Sequence, residues 1–242
     1  MQKSLNRSET SLAVDLIIAH ASRQENGSFV VHMLSIDPRV FPSAQSQRSF
    51  LEQTKRTAPK YCLPGEVITA KLGVQAALQK LLRDVCTSSV KGNLPVPQLL
   101  HVFDRSPKVA FGSQRFPSIV YLAALGPSQK DFAPGVVETP WQDAFELDLL
   151  FDHRQLLTEC KRAITKSFLD NADLIHALMG KSLFSLGALQ RVFQLVTGKE
   201  YHRSNFPATA TGRLKARKVI DGSGRHKNGK VGSRESVKLY QF

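Results

Sequence analysis

The chain has 242 residues, of which 42% are hydrophobic and 22% charged, the composition of a globular protein that can bury one core or two small ones. Its formal net charge of +13 indicates an anionic partner, with nucleic acid first and an acidic membrane surface second. The chain has three cysteines, Cys62, Cys86 and Cys160, and an odd number argues against a secreted disulfide framework. Their spacing is also not that of metal ligands. We therefore expect buried free thiols in a reducing compartment.

The N-terminal stretch superficially imitates a signal peptide, with Lys3 and Arg7 before an apolar run. Asp15 and His20 interrupt that run, which instead predicts a first strand. No uninterrupted apolar segment reaches the roughly 18 residues of a membrane helix. The expectation is a cytoplasmic protein without a membrane partner.

The first 151 residues mix predicted strands with helices. Apolar runs bounded by turn residues predict strands at 12–20, 27–36, 97–105 and 116–125. Apolar residues at helical spacing predict a helix at 74–85, and a shorter helix is expected near 46–55. The stretch 126–141 is rich in proline and is predicted to be loop.

After Trp141 the pattern changes to helices followed by a hairpin. Helices are predicted at 151–169, 172–179 and 186–198, and the last should be capped by Ser185 and ended by Gly198. A further helix is expected to begin near Ser204, before a Gly-rich basic hairpin that closes with a strand at the C-terminus. This order predicts two domains, 1–151 and 152–242, with the first helix of the second as connector.

The positive charge is concentrated at the C-terminal end. Residues 197–242 contain eleven Lys and Arg against three acidic residues, a net +8. Such a surface gains affinity for a polyanion by releasing condensed counterions. Three helices followed by a basic hairpin are typical of a winged helix-turn-helix, so we expect double-stranded DNA as partner; RNA, membrane anions or a merely solvated tail are the alternatives.

In that layout, the helix near Ser204 enters the major groove and the hairpin tip contacts the DNA backbone or minor groove. The candidate contact residues of the helix region are Arg203, Ser204, Asn205, Thr209, Thr211, Arg213 and Lys215, and those of the tip are Arg225, His226, Lys227, Asn228 and Lys230. Sequence does not separate residues that read bases from those that hold phosphates.

Five segments carry a likeness to a known family: LPGEV at 63–67, IVYLAAL at 119–125, LLFDHRQLLTECKRAI at 149–164, LFSLGALQRVFQLVTGKEYHRSNF at 183–206 and LYQF at 239–242. Together they resemble the Nudix-related transcriptional regulators of NAD metabolism. The resemblance implies an α+β or α/β fold, with a Nudix-like α/β/α sandwich and mixed sheet in 1–151 and a winged helix in 152–242. It also implies a homodimer on a DNA operator and a nucleotide effector such as ADP-ribose, NAD or ATP. Arg105, Arg115 and Phe116 are the candidate effector-binding residues.

The catalytic positions of the Nudix box depart from the family. An active box has Arg-Glu-x-x-Glu-Glu on its helix, and its carboxylates bind magnesium. Here Gln79 and Lys80 occupy the Arg and Glu positions, Arg83 and Asp84 the paired Glu positions, and Cys86 replaces a glycine. Glu66, in place of the second glycine, is expected to lie out of the metal-binding frame. We therefore predict no catalytic residues, no metal and no hydrolase activity.

Pro207 also stands where the family has an arginine after Asn-Phe, which puts DNA contact at that position in doubt.

Three further positions are given structural roles. Asp152 and His153 are expected to cap the connecting helix and pack the domain junction, and Trp141 to pack there as well. The remaining histidines lack metal spacing. Besides the DNA-binding regulator, an RNA-binding or assembly protein that uses a degenerate Nudix fold as a docking surface stays open, as does a hydrolase with a non-standard site.

Overall fold

The computed structural model describes residues 12–44, 47–48, 52, 60–68, 71–87, 94–104, 117–180, 183–219 and 239–242. The predicted helix near 46–55 lies mostly outside these ranges. The candidate effector residues Arg105, Arg115 and Phe116 and the hairpin-tip residues Arg225, His226, Lys227 and Lys230 lie outside them entirely. Among the described helices, none is both long and apolar enough to cross a membrane.

A mixed six-stranded sheet forms the centre of the N-terminal region. Its strands are β1 (Leu12–Arg23), β2 (Phe29–Ile36), β3 (Gly65–Ile68), β4 (Gln98–Asp104), β5 (Pro117–Leu125) and β6 (Val136–Pro140). The order is β4-β5-β1-β2-β6, and β3 pairs with β1. The β1–β5 pair is parallel and the other pairs are antiparallel.

The four strands predicted from the sequence are present, but the prediction of a loop over 126–141 was wrong for its last part. Residues Val136–Pro140 form β6 and pair with β2. This segment is a sheet edge of only five residues that ends in proline, so it carries little of the apolar alternation by which strands are recognised. Its hydrogen-bonding partner is about a hundred residues away in the chain and leaves no local signal.

Helices cover both faces of the sheet. The central strand β1 is buried on both sides, which explains its nearly continuous apolar sequence. Because side chains alternate along a strand, Leu16 and Ile18 join the core beneath helix α1 (Val74–Val85), whereas Ile17 and Ala19 face the opposite side. On that opposite side lie α2 (His153–Asp170), α3 (Ala172–Met179) and α4 (Leu186–Thr197).

A small second sheet accompanies these helices. Its strands β7 (Phe184–Ser185), β8 (Arg217–Val219) and β9 (Leu239–Gln241) are antiparallel in the order β7-β9-β8. Between β7 and β8 lie α4 and a single-turn helix α5 (Phe206–Ala208), which a wider helical turn continues through Thr209–Arg213. The predicted closing strand is therefore confirmed.

The predicted ends of α4 are confirmed. The Ser185 hydroxyl accepts a hydrogen bond of 3.1 Å from the Ala188 amide, and Gly198 ends the helix with a φ of 64°. The next helix begins near Ser204, as predicted, and Asn205 holds its N-cap position. The Ser204 hydroxyl instead contacts His202 and Asn205, its immediate neighbours.

The apolar cores of the two predicted domains are continuous on one face of the sheet. Ile17 and Val120 of the sheet belong to the same buried cluster as Leu156 and Val192 of the helices. Trp141 is buried at this junction, edge-on to Phe168 at 5.8 Å between ring centroids, as predicted. The division at residue 151 stays a prediction.

All three cysteines are buried and free, as the sequence predicted. Burial raises the pKa of the Cys86 and Cys160 thiols to about 11, so both stay protonated near neutral pH.

A buried polar cluster connects the sheet, the Leu-Pro-Gly turn and the start of α2. His153 Nδ1 accepts a hydrogen bond of 2.9 Å from the Leu63 amide. In the neutral ring the proton then lies on Nε2, which is 3.4 Å from Asp15 Oδ1. Ser118 donates to the other oxygen of Asp15. His153 thus packs the junction as predicted, whereas Asp152 holds the N-cap position without a side-chain cap bond.

The cluster makes a prediction for Gly65. A Cβ at this position would lie 2.6 Å from Asp15 Oδ1, and Asp15 is held from both sides by Ser118 and His153. We expect Gly65→Ala to lower the free energy of unfolding by about 1–3 kcal/mol. The measurement is urea unfolding.

The matched control is Gly73→Ala, because a Cβ there meets nothing within 4 Å. It should cost less than about 1 kcal/mol, because alanine is a poorer N-cap than glycine but meets no neighbouring atom at this position. Equal stability of the two variants would contradict the steric role of Asp15.

Candidate functional site

The degenerate box places a lysine ammonium between two carboxylates. Lys80 on α1 donates a hydrogen bond to Glu66 on β3, and its Nζ is 3.5 Å from Asp84 Oδ2, one turn further along α1. The expectation that Glu66 lies outside the metal-binding frame stays a prediction, but Glu66 and Asp84 contact the same ammonium. Because α1 packs beside β3, Glu66 and Asp84 both lie next to Lys80. This proximity cannot be predicted from the sequence of the helix alone.

The carboxylates keep Lys80 charged. Burial lowers the pKa of Lys80, but the hydrogen bond to Glu66 and the charges of Glu66 and Asp84 outweigh it, so the pKa is raised above its ordinary value of 10.5. At neutral pH the ammonium therefore offsets one of the two carboxylate charges, which is part of the negative charge that a metal ion would otherwise compensate.

The residues at this point do not fit magnesium. Magnesium requires near-octahedral oxygen coordination, usually with one or two carboxylates free to bind it. Here Glu66 is hydrogen-bonded to Lys80, and the neighbouring Gln79 and Arg83 are exposed and offer no carboxylate. No catalytic step through a metal at the box follows from this arrangement.

The turn between α4 and α5 is held by aromatic packing. Tyr201 and Phe206 lie 5.2 Å and 6.0 Å from Phe193 of α4, measured between ring centroids. The Gln190 amide nitrogen also donates to the Tyr201 carbonyl at 2.6 Å. Both ends of the turn are therefore fixed to α4, which determines where α5 and its flanking residues project.

Most described candidates for DNA contact lie on one short exposed segment. Arg203, Ser204, Asn205, Thr211, Arg213 and Lys215 are exposed, and Thr209 is half-buried. The Thr211 hydroxyl donates to the Pro207 carbonyl at 3.0 Å, so its remaining capacity is as an acceptor. Lys215 follows the helical turn with a φ of 57°, which turns the chain back toward β8.

Arg213 is engaged within the protein. Its Nη2 is 3.0 Å from Asp170 Oδ1 at the end of α2, and Lys166 binds the other oxygen of the same carboxylate. The hydrogen bond from Lys166, together with the charges of Lys166 and Arg213, lowers the pKa of Asp170. The carboxylate is therefore ionised near neutral pH and competes with any anionic ligand for Arg213.

The structure also brings together three residues that the sequence did not connect. His20 of β1, His32 of β2 and Glu138 of β6 each offer a metal-ligand atom, and these atoms lie within 4.8 Å of one another. The three residues are far apart in the sequence and do not show the short spacing typical of metal ligands on a helix or loop. They come together only because their strands pair. The cluster could have been predicted only if β6 had been recognised as a strand that pairs with β2.

The box makes a prediction for Lys80. Lys80→Gln leaves Glu66 and Asp84 without their cation, and we expect a loss of up to about 1 kcal/mol in unfolding free energy, since the lysine is 40% exposed. The loss should shrink in high salt. Because the pKa of Lys80 is raised in the folded state, its stabilisation is complete below pH 10.5 and disappears as the pH rises through the folded-state pKa.

The control is Arg83→Gln, which removes an exposed positive charge from the same helix. Urea unfolding at low and high salt compares the two. A loss of equal size in both variants would show that Lys80 acts only through the net charge of the chain.

No protein-family model and no curated protein matches the chain by sequence. Solved structures do match. The NrtR protein of Shewanella oneidensis, in a structure with a 27mer DNA, is 18% identical with a TM-score of 0.59, covering 95% of this chain and 92% of that one. Its structure without DNA matches with the same TM-score at 17% identity. A MutT/nudix family protein of Enterococcus faecalis is 16% identical with a TM-score of 0.60, covering 99% and 89%. The chain therefore shares its fold with these structures over nearly its whole length, including the Nudix-like mixed sheet.

Proposed function

We propose that the chain is a sequence-specific DNA-binding transcriptional regulator that acts in the cytoplasm. The observation that carries the proposal is the arrangement of the C-terminal region. Strand β7, helix α4, a fixed turn, helix α5 and strands β8 and β9 follow one another, and the strands pair in the order β7-β9-β8. This order supports our assignment of a winged helix-turn-helix, in which α4 is the helix before the turn and α5 the recognition helix.

The charge agrees with this assignment. Arg203, Lys215 and Arg217 are exposed on or beside α5, and the segment between β8 and β9, the wing in this topology, contains Arg225, His226, Lys227 and Lys230. The matching structure of NrtR from Shewanella oneidensis was determined with DNA. We infer that the recognition helix lies in the major groove and that the basic wing contacts the backbone or minor groove.

A homodimer is part of the proposal, because operators with two half-sites mirror a two-fold protein. The sheet supports it at one edge. Strand β4 has a neighbour only on its β5 side among the described strands, and Leu99 and Val102 on it are about 60% exposed. Large apolar side chains on an open strand edge favour pairing with another chain.

We further propose that the Nudix-like region senses a nucleotide, such as ADP-ribose, NAD or ATP, and regulates genes of NAD metabolism. The support is electrostatic: Lys80 offsets one of the two negative charges of Glu66 and Asp84, so a pyrophosphate meets less repulsion at the box than two unpaired carboxylates would cause. Arg105, Arg115 and Phe116 remain the candidate contacts. A nucleotide that binds the DNA-competent and incompetent states unequally would shift operator occupancy.

The same arrangement supports a protein that does not hydrolyse the nucleotide. The carboxylates that would hold magnesium are occupied by Lys80. Magnesium-dependent turnover of ADP-ribose that is lost in Asp84→Asn would contradict this part of the proposal.

The test of DNA binding begins with selection of a preferred site from random duplexes. The selected duplex should contain two half-sites about one helical turn apart and bind at least roughly a thousandfold more tightly than unrelated duplex. Arg203→Ala and Lys215→Ala should each weaken DNA binding. If the replaced residue contacts a phosphate, the slope of log Kd against log salt should also fall by about 1. Fluorescence anisotropy over a salt series measures both.

The matched control is Lys130→Ala, which removes an exposed charge from the loop after β5. It should leave affinity and salt slope nearly unchanged. Equal affinity for the selected duplex, random duplex and single-stranded RNA would overturn the regulator and favour the RNA-binding or assembly protein.

The pairing of Arg213 makes a separate prediction. Asp170→Asn removes a carboxylate beside the proposed interface and releases Arg213. We expect DNA affinity to rise roughly two- to five-fold at low salt. Asp173→Asn is the control, since it removes a negative charge three residues away that contacts only His176 among the charged partners described. The same rise in both variants would assign the effect to net charge.

A further inference from the structure

The cluster of His20, His32 and Glu138 lies on one face of the central sheet. His20 and His32 are directly paired across β1 and β2. Glu138 on β6 is opposite Leu34, two residues from His32, and therefore projects from the same face as both histidines. Three adjacent strands thus fix the three side chains relative to one another.

The distances are those of a nearly assembled metal site. His20 Nδ1 is 2.7 Å and His32 Nδ1 is 3.6 Å from the same atom, Glu138 Oε1. Ligands about 2.1 Å from a tetrahedral ion lie about 3.4 Å from one another. His32 is already close to this distance from Glu138, the His20–Glu138 pair would have to separate by less than 1 Å, and all three ligand atoms lie within 4.8 Å of one another.

A second observation is the bonding of His32. Its Nδ1 is buried and has no hydrogen-bond partner among the residues that the structure describes. Buried side-chain nitrogens are normally hydrogen-bonded, and an imidazole nitrogen is also a metal ligand. This atom points to the carboxylate oxygen that already holds His20, so a shared cation would satisfy all three groups.

Burial and chemistry select the kind of cation. Two imidazole nitrogens and one carboxylate oxygen suit zinc and similar first-row divalent ions, whereas magnesium prefers oxygen ligands. The Glu138 side chain is 41% exposed, which provides access and leaves room for water as a fourth ligand.

The cluster is separate from the box. Glu66 pairs with Val14, and His20 lies six residues further along the same strand, roughly 20 Å at the rise of an extended chain. Any ion bound by the histidines is therefore too far from Lys80, Glu66 and Asp84 to act there.

We propose that His20, His32 and Glu138 form a zinc-binding site that joins the edge strand β6 to β2 and β1. The ion crosslinks three strands, so it stabilises the sheet edge that leads through Trp141 to α2. This inference does not depend on DNA binding or on a nucleotide effector.

The test uses the untagged full chain, freed of metal with a chelator and titrated with zinc chloride against a chromophoric competitor. We expect one zinc per chain with a Kd below about 1 μM. Zinc should also raise the Tm, whereas magnesium should not. Cobalt(II) in place of zinc should give the visible absorption bands of a four-coordinate ion.

The variants His32→Gln and Glu138→Gln should each weaken zinc binding at least about tenfold and abolish the zinc-dependent rise in Tm. Glu138→Gln alters a partly exposed group, so folding, checked by circular dichroism, should be retained. The matched controls His101→Gln and Glu146→Gln change exposed residues outside the cluster and should bind as the parent does. Zinc affinity that is absent in the parent, or equal in parent and cluster variants, would overturn the site.

Discussion

The contact between His153 and Asp15 is the constraint on which the arrangement of the chain depends. It joins the first residue of α2 to the central strand, while the other nitrogen of His153 fixes the Leu63 amide. A carboxylate and an imidazole in an apolar interior are costly unless each is satisfied. Ser118 donates a hydrogen bond to Asp15, and the Leu63 amide of the Leu-Pro-Gly turn donates one to His153. Burial of β1, the turn and the start of α2 is therefore mutually dependent. These contacts give the Leu-Pro-Gly turn and the Phe-Asp-His segment a structural role that does not depend on metal binding at the box.

The two faces of the central sheet pack against different helices. One face packs α1, which carries Lys80 and the remains of the box, and the other packs α2, α3 and α4, which hold the proposed recognition helix. Side chains of β1 enter both cores alternately, so a displacement of this strand is felt on both sides. In the proposed regulator, a nucleotide on the α1 face would therefore reach the DNA-binding helices through packed side chains and needs no separate hinge. The continuity of one apolar cluster across residue 151 makes such coupling physically direct.

Local signals in the sequence predicted the strands with apolar runs, the helices and the ends of α4, because Ser185 and Gly198 act on atoms a few residues away. The sequence could not predict β6, whose register depends on β2, nor the approach of Glu66 to Lys80, which depends on how α1 packs beside β3. The start of α5 was predicted to within one residue, because Ser204 and Asn205 are adjacent and both are good N-cap residues. The histidine cluster was missed because metal spacing is a local pattern, whereas His20, His32 and Glu138 meet only through pairing of three strands.

Two positions on the α1 face show how a fold can change the cation it accommodates. At the box, a covalently attached ammonium takes the position between Glu66 and Asp84, and its charge is retained because those carboxylates raise its pKa. At the other end of β1, His20 and His32 present nitrogen atoms beside a single carboxylate. Hard oxygen ligands suit magnesium and catalysis of phosphate chemistry, whereas imidazoles suit zinc and rigid crosslinking. The same sheet face thus combines a box unsuited to its usual metal with a cluster suited to a different one. In the proposed regulator, the proposed zinc site would hold the sheet in one conformation while a nucleotide is bound and not hydrolysed.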